Sequence, residues 1–482
     1  MESIKKIKKE TVVTNLQEGL TDKFKKKVYI IQPTFHKMDG KLVKGFSLGS
    51  CPLELPQIAG AIPKDWQKTC SHEYFEDINY ESDASVVFIT SPSNDILHAK
   101  DVAAKFKEKG KKVIFGGHED AFSETIIKEA SDSFYRGIPD KKDMKTMLND
   151  AIQNKLKHHY DFGHNFNYHY DYSVYEGKKV NYIHVQGSAG CLFKCEFCRH
   201  PSASNGGKFK LRDIDCIIGD LKSIKKLTKY VAFKDPNFFN NRAHLIKLCE
   251  RLIKEKLGII WGAQMPIYVG KDKEVLQLMR KAGCRIIYIG FETLNQKNLD
   301  SVNKPFKVRD YLPMVKKIQK SGIRVVGYFM FGFDYDTKES FDQVYDFVSE
   351  SKIAYPIVNI LTPVPGTPVF DRMKKERRLD LPDAETFKKV NPLYSIPCNH
   401  AYFEPKLMSR KELEDSFMNL SERLSSFKNV FKRAFYNFNI LSFILLKMNL
   451  EFRKDHQRME VLYNSQRVCI WKVAVLRTNF SV

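Results

Sequence analysis

Short strand-like runs alternate with helical stretches along most of this chain, and that alternation confines it to α/β architectures. Lys27-Val-Tyr-Ile-Ile-Gln-Pro33, Val86-Val-Phe-Ile-Thr-Ser91 and Val113-Ile-Phe-Gly-Gly-His118 are the first such runs, with helical patterns over 99–108 and 123–130. They predict a parallel sheet of the Rossmann or flavodoxin type, with ligand loops at the strands' carboxyl ends. From Asn181 the pattern resumes, with strands expected over 182–186, 230–233, 259–263, 285–289, 324–330 and 357–361. Helical stretches such as 242–256 and 274–282 lie between them, and six such repeats predict a partial (β/α)6 barrel of the TIM type. Past Asp371 the strand signals fade, 409–436 reads as helix, and 438–446 is an apolar run. The expected divisions are a basic tail over 1–26, an N-terminal sheet domain over 27–156, a connector over 157–180, the barrel over 181–375 and a mainly helical region over 376–482. His158, His159, His164 and His169 in the connector match no familiar ligand spacing and read as surface-loop residues.

The formal net charge of +22 draws anionic partners without choosing among them, and its scattered lysines read as solvated helix faces. No RNA-binding module or basic–aromatic strip accompanies the charge, which argues against nucleic acid as a partner. Met1 to Glu10 lacks the apolar core of a secretory leader, and no run reaches the roughly 18 apolar residues needed to cross a bilayer. A cytoplasmic location is therefore expected, where clustered cysteines signify metal or catalysis rather than disulfides. The 438–446 run, flanked by Lys432, Arg433, Lys447, Arg453 and Lys454, reads either as a core-packing helix or as an interfacial one that would allow peripheral contact with a membrane surface.

The chemistry concentrates in Gln186-Gly-Ser-Ala-Gly-Cys-Leu-Phe-Lys-Cys-Glu-Phe-Cys-Arg-His200. Cys191, Cys195 and Cys198 are spaced C-x3-C-x2-C in a loop directly after an expected strand. Soft thiolates this close together suit iron–sulfur or zinc. A structural zinc site needs a fourth ligand, usually from a second C-x2-C knuckle, and the sequence has none. Three thiolates on a [4Fe–4S] cubane leave one iron open to an external chelator. The remaining cysteines are isolated and read as core or bystander thiols.

This loop, with Phe197 before its third cysteine, resembles the radical S-adenosylmethionine superfamily. The resemblance implies that the amino and carboxylate groups of S-adenosylmethionine chelate the open iron and that an external reductant such as flavodoxin or ferredoxin feeds the cluster. Segments later in the chain resemble the family's strand-end elements, and through them Phe197, Asp235, Asn237, Gln264, Gly290, Glu292 and Pro363 are implied as contacts for S-adenosylmethionine. Where relatives often carry an Arg at the third strand's end, this chain has Pro266, so no charged contact is implied there. Residues 27–155 resemble the cobalamin-binding domain of one large branch of the family, through 52–60, 83–91 and 113–119. In that reading His36, Ser91, Gly116, Gly117 and His118 lie nearest the corrin. The branch's Asp-x-His-x-x-Gly motif for a lower cobalt ligand is absent, and Arg136-Gly-Ile-Pro-Asp140 stands where relatives show an acidic Gly-Glu-x-Glu element.

The implied function is cobalamin-dependent methylation of an unactivated carbon, on a lipid or natural-product substrate like those of hopanoid-type relatives. Two alternatives stay open: radical cyclisation, oxidation or rearrangement with a cobalamin-free N-terminal domain, and modification of RNA or the ribosome. No catalytic acid or base is assigned.

Overall fold

The computed structural model describes residues 26–34, 42–44, 50–90, 96–116, 127–198, 209–380, 400–436, 442–443, 445–447, 449–450 and 453. The expected basic tail lies outside these but for its last residue, as do His36, Ser91, Gly117, His118, Lys454 and most of the 438–446 run. The chain divides into two compact units, the first formed mainly by residues 1–189 and 203–229, the second mainly by 190–202, 230–387 and 396–482.

In the first unit the strands are β1 (Lys27–Gln32), β2 (Ser50–Cys51), β3 (Gln67–His72), β4 (Val86–Ile89), β5 (Lys112–Gly116), β6 (Ser133–Ile138), β7 (His159–His164), β8 (Tyr182–Val185), β9 (Ser188–Ala189) and β10 (Lys210–Leu211). The helices are α1 (Glu54–Ala61), α2 (Ile96–Glu108), α3 (Lys141–Ile152) and α4 (Ile214–Ile224). Six strands form a parallel sheet in the order β3-β1-β4-β5-β6-β7, the flavodoxin-like winding, whose direction reverses between β1 and β4. The inner strands β1 and β4 are nearly all apolar because both their faces are covered. On one face Tyr29, Ile31, Val87 and Ile89 meet Ala99, Val102, Ala103 and Phe106 of α2, whose spacing of three and four makes one apolar stripe. On the other, α1 packs against β1 and β3.

Three strands of the six-stranded sheet depart from expectation. β3 reads Gln-Lys-Thr-Cys-Ser-His and β7 His-Tyr-Asp-Phe-Gly-His; both are edge strands, where solvent makes polar side chains affordable and blunts further pairing. β6, Ser-Phe-Tyr-Arg-Gly-Ile, loses its apolar run after Tyr135. The connector thus supplies the sheet's last strand, and His159 and His164 belong to it rather than to a loop. Part of the rest of the connector is fastened by Arg212. Arg212, fully buried, donates to the carbonyls of Phe166 (2.9 Å), Tyr168 (2.6 Å) and Gln186 (3.2 Å), pairs with Asp220 at 2.8 Å and stacks on the Tyr170 ring.

In the second unit β11 (Tyr230–Phe233), β12 (Ile260–Gln264), β13 (Cys284–Glu292), β14 (Arg324–Phe331) and β15 (Tyr355–Ile360) pair in parallel and in sequence order. Between and after them run α5 (Arg242–Glu255), α6 (Lys273–Lys281), α7 (Gln296–Ser301), α8 (Tyr311–Lys320), α9 (Glu339–Ser351) and α10 (Pro368–Lys375). These are the strand–helix repeats expected of the barrel, and the first expected strand, β8, is present as well and pairs with β2. The helix expected over 409–436 is two helices, α11 (Arg410–Ser425) and α12 (Phe427–Ala434), broken where Ser426 turns extended (ψ 142°). Among the described residues no helix is long and apolar enough to cross a membrane.

Candidate radical site

Cys191, Cys195 and Cys198 line one cavity of about 250 Å³ in the second unit. All three thiols are free of disulfides. Their loop is fixed by main-chain and ionic ties. Cys198 N–H donates to Cys195 O at 3.1 Å, closing a turn, and Glu196 N–H donates to Val302 O at 2.9 Å. The Glu196 carboxylate receives a two-pronged bond from Arg372 of α10 (2.8 and 3.1 Å), and Arg372 in turn holds Asp334 at 2.7 Å. A bidentate guanidinium fixes direction as well as distance, so the central cysteine is set by its neighbour's ion pair.

Strand ends furnish the rest of the wall. Asn237 follows β11, Gln264 ends β12, Tyr288, Gly290 and Glu292 come from β13, Tyr328 and Met330 from β14 and Asn359 from β15. At the end of β13 the register slips so that Gly290 faces Tyr328 while Glu292 faces Phe329, and Glu292 takes a left-handed φ of 64°. This turns its carboxylate back over the strand, into the space a Cβ on residue 290 would occupy: such an atom would lie 2.2 Å from Glu292 Oε1 and 3.0 Å from Lys304 Nζ. Only glycine leaves that room. Glu292 and Lys304 form an ion pair of 2.5 Å with about a tenth of each side chain exposed, and the Lys304 ammonium also lies within 6 Å of the Phe197 and Phe306 rings.

Burial pushes the Cys195 thiol up to about 11 and raises Cys191, with the Lys304 ammonium pulling both the other way. Such thiols keep their protons until a metal displaces them. Among the described residues no three His, Cys, Asp or Glu side chains could hold a single metal ion. Three thiols that share one cavity suit a cluster, whose irons take separate thiolates.

Of the residues expected at S-adenosylmethionine, Phe197, Asn237, Gln264, Gly290 and Glu292 line this cavity with the cysteines. Asp235 and Pro363 are buried outside its lining. Lys304, Tyr288, Tyr328 and Asn359 were not anticipated. Lys304 arrives from the turn after α7, and its one sequence signal is a lysine just before Pro305. Of the residues expected near a corrin, only Gly116 is described, and the Tyr135 side chain already fills the space beside it. Elsewhere at that sheet's carboxyl edge, buried polar atoms of Gln32, His72 and Thr90 lack hydrogen-bond partners among the described residues, a set of donor and acceptor atoms that fits a polar ligand such as cobalamin.

Residues 185–348 match the model of the radical SAM superfamily. The chain is 28% identical over 435 residues to bacteriochlorophyllide d C-12(1)-methyltransferase of Chlorobaculum tepidum, covering 85% of this chain and 90% of that one. Its fold is similar to TsrM of Kitasatospora setae, solved with cobalamin and a [4Fe–4S] cluster (TM-score 0.65, 12% identity, 90% of this chain and 99% of that one). It is also similar to the cobalamin-dependent S-adenosylmethionine radical enzyme OxsB with aqua-cobalamin and S-adenosylmethionine bound (TM-score 0.66, 12% identity, 94% and 75%).

Proposed function

We propose that this chain, a radical S-adenosylmethionine enzyme with an N-terminal unit of the cobalamin-binding type, methylates an unactivated carbon of a small, largely apolar natural product or lipid. The observation that carries the reading is one cavity lined by three cysteines outside any disulfide together with a strand-end wall of Asn237, Gln264 and Glu292. When bound, the cluster supplies the electron that splits S-adenosylmethionine to a 5′-deoxyadenosyl radical, and cobalamin supplies the methyl group.

The chain's own residues do the positioning. Cys191, Cys195 and Cys198 would hold the cluster, with the Glu196–Arg372 ion pair fixing the loop between them. Lys304 places positive charge beside those thiols and beside Glu292, where a zwitterionic amino-acid moiety finds a partner for each of its charges. Asn237 and Gln264 offer amide donors and acceptors to the polar edges of the same molecule. Phe193, Phe197, Phe306, Met265 and Met330 line the cavity with apolar surface, keeping water from a reactive carbon radical. The substrate C–H would have to be held close to the reacting groups for transfer to outrun quenching. The enzyme needs an external electron donor, and a flavodoxin or ferredoxin fits that need.

The test is anaerobic purification from cobalamin-fed cells, with iron, sulfide and cobalt analysis and product assay. About four irons and one cobalt per chain, with 5′-deoxyadenosine and S-adenosylhomocysteine among the products, is the expected result. Cys195→Ala should lose the iron. Iron and 5′-deoxyadenosine without cobalt or S-adenosylhomocysteine would replace methylation by cyclisation, oxidation or rearrangement.

A further inference from the structure

In the first unit, Gln32 Oε1, Thr90 Oγ1 and His72 Nε2 are shut away from solvent and find no hydrogen-bond partner among the described residues. Gln32 and Thr90 are 1% exposed and His72 6%. Their positions are not scattered. Gln32 ends β1 and is the register partner of His72, which ends β3. Thr90 follows directly on the Ile31–Ile89 pair of β1 and β4, and its N–H donates to Ile31 O at 2.9 Å. Register partners on parallel strands project to the same side of a sheet. The three side chains therefore make one polar row across the carboxyl ends of β3, β1 and β4, on the face opposite Tyr29, Ile31 and Ile89. The sheet's winding reverses within this row, between β1 and β4, and open α/β sheets take their ligands at such a point.

The chemistry of the row is specific. His72 Nδ1 accepts from Tyr74 N–H at 3.2 Å, so the ring hydrogen of the neutral imidazole sits on Nε2, which is a donor. Burial keeps the ring neutral, pushing it down to about 4. Gln32 Oε1 is an acceptor, and the Thr90 hydroxyl is either. Donor, acceptor and hydroxyl side by side without formal charge match a ligand that carries primary amides, which present N–H and C=O together. Were the row only packing, three apolar side chains would cost less than three unmet polar atoms.

We propose that Gln32, His72 and Thr90 form the corrinoid-binding row of the first unit, bonding the neutral, amide-bearing edge of cobalamin. His72 serves there as a hydrogen-bond donor and not as a cobalt ligand. The proposal rests on the reading above that this unit holds cobalamin.

The test uses the full chain with its cluster loaded anaerobically, titrated by absorbance with hydroxocobalamin and with cobinamide, which keeps the corrin amides and lacks the nucleotide tail. Thr90→Val and Gln32→Leu should each weaken uptake of hydroxocobalamin about tenfold, the factor that one neutral hydrogen bond supplies. The thermal midpoint of the corrinoid-free protein should stay or rise, because each variant removes an unmet polar atom. Equal weakening toward cobinamide assigns the bonds to corrin amides, whereas weakening toward cobalamin alone assigns them to the nucleotide tail and overturns the amide assignment. Variants that bind both corrinoids like the parent, or that lose binding only together with thermal stability, would sink the row as a binding site. A parent protein that cleaves S-adenosylmethionine but takes up neither corrinoid removes the cobalamin reading itself, and the row with it.

Discussion

Replacing Gly290 by Ala separates the architecture of the radical site from its stability. Residue 290 does not have a left-handed backbone, so in the absence of contacts Gly→Ala would stabilise by about 0.4–1 kcal/mol through the unfolded chain. The new methyl, however, would stand 2.2 Å from Glu292 Oε1 and 3.0 Å from Lys304 Nζ. Both are ends of flexible side chains, so the fold can yield by moving them, and the thermal midpoint should change little. The carboxylate must retreat by about 1 Å or more to reach ordinary contact, and a misplacement of that size can cost up to about 100-fold in rate. We therefore expect G290A to keep its iron, to bind S-adenosylmethionine more weakly and to form 5′-deoxyadenosine about 10–100-fold more slowly. The assay is single-turnover 5′-deoxyadenosine production by reconstituted protein, beside equilibrium binding, iron content and a melting curve. Parental binding and cleavage in G290A would refute the claim that the Glu292–Lys304 pair positions the sulfonium ligand.

Three further outcomes follow from the same geometry. Arg372→Ala frees Glu196 from its two-pronged partner, so the reconstituted protein should lose iron faster on anaerobic dialysis, with a stability loss of about 1–3 kcal/mol in denaturant titrations. Asp336 accepts from Gly332 N–H, Phe333 N–H and Asn298, all buried; Asp336→Ala strands three donors and should cost about 3 kcal/mol or more, whereas Asp336→Asn should cost less. His72 has its folded-state value lowered to about 4, against about 6.5 when unfolded, so only the unfolded chain takes up the proton in that window. The stability His72 contributes is complete above about pH 6.5 and is lost as pH falls toward 4, by up to about 3 kcal/mol. His72→Phe should flatten that slope in urea titrations at successive pH values.

Much of the site was legible because its signal is local. Three cysteines within eight residues can be read from the order of residues alone, while Asn237, Gln264 and Glu292, which line the same cavity, were implied by the family resemblance. Lys304 could not be, because its role depends on a bulge twelve residues earlier that folds the Glu292 side chain back toward it. The inner strands β1, β4 and β5 declared themselves as apolar runs, while edge strands β3 and β7 carried the polar residues that solvent permits them. The polar row was hidden for a different reason: Gln32, His72 and Thr90 are 18 or more residues apart in sequence, and only the pairing of β3, β1 and β4 aligns them.

Arg212 has a consequence for how the protein is made. Its guanidinium satisfies the carbonyl of Phe166, 46 residues earlier, as well as those of Tyr168 and Gln186. On the ribosome the nascent first unit must wait about 2–9 s for this residue, at ~5–20 residues per second. Until then the segment around Tyr168 and Tyr170 lacks the side chain on which it closes. Vectorial synthesis thus commits the cysteine loop, which lies upstream of Arg212, to emerge before the unit that precedes it has locked.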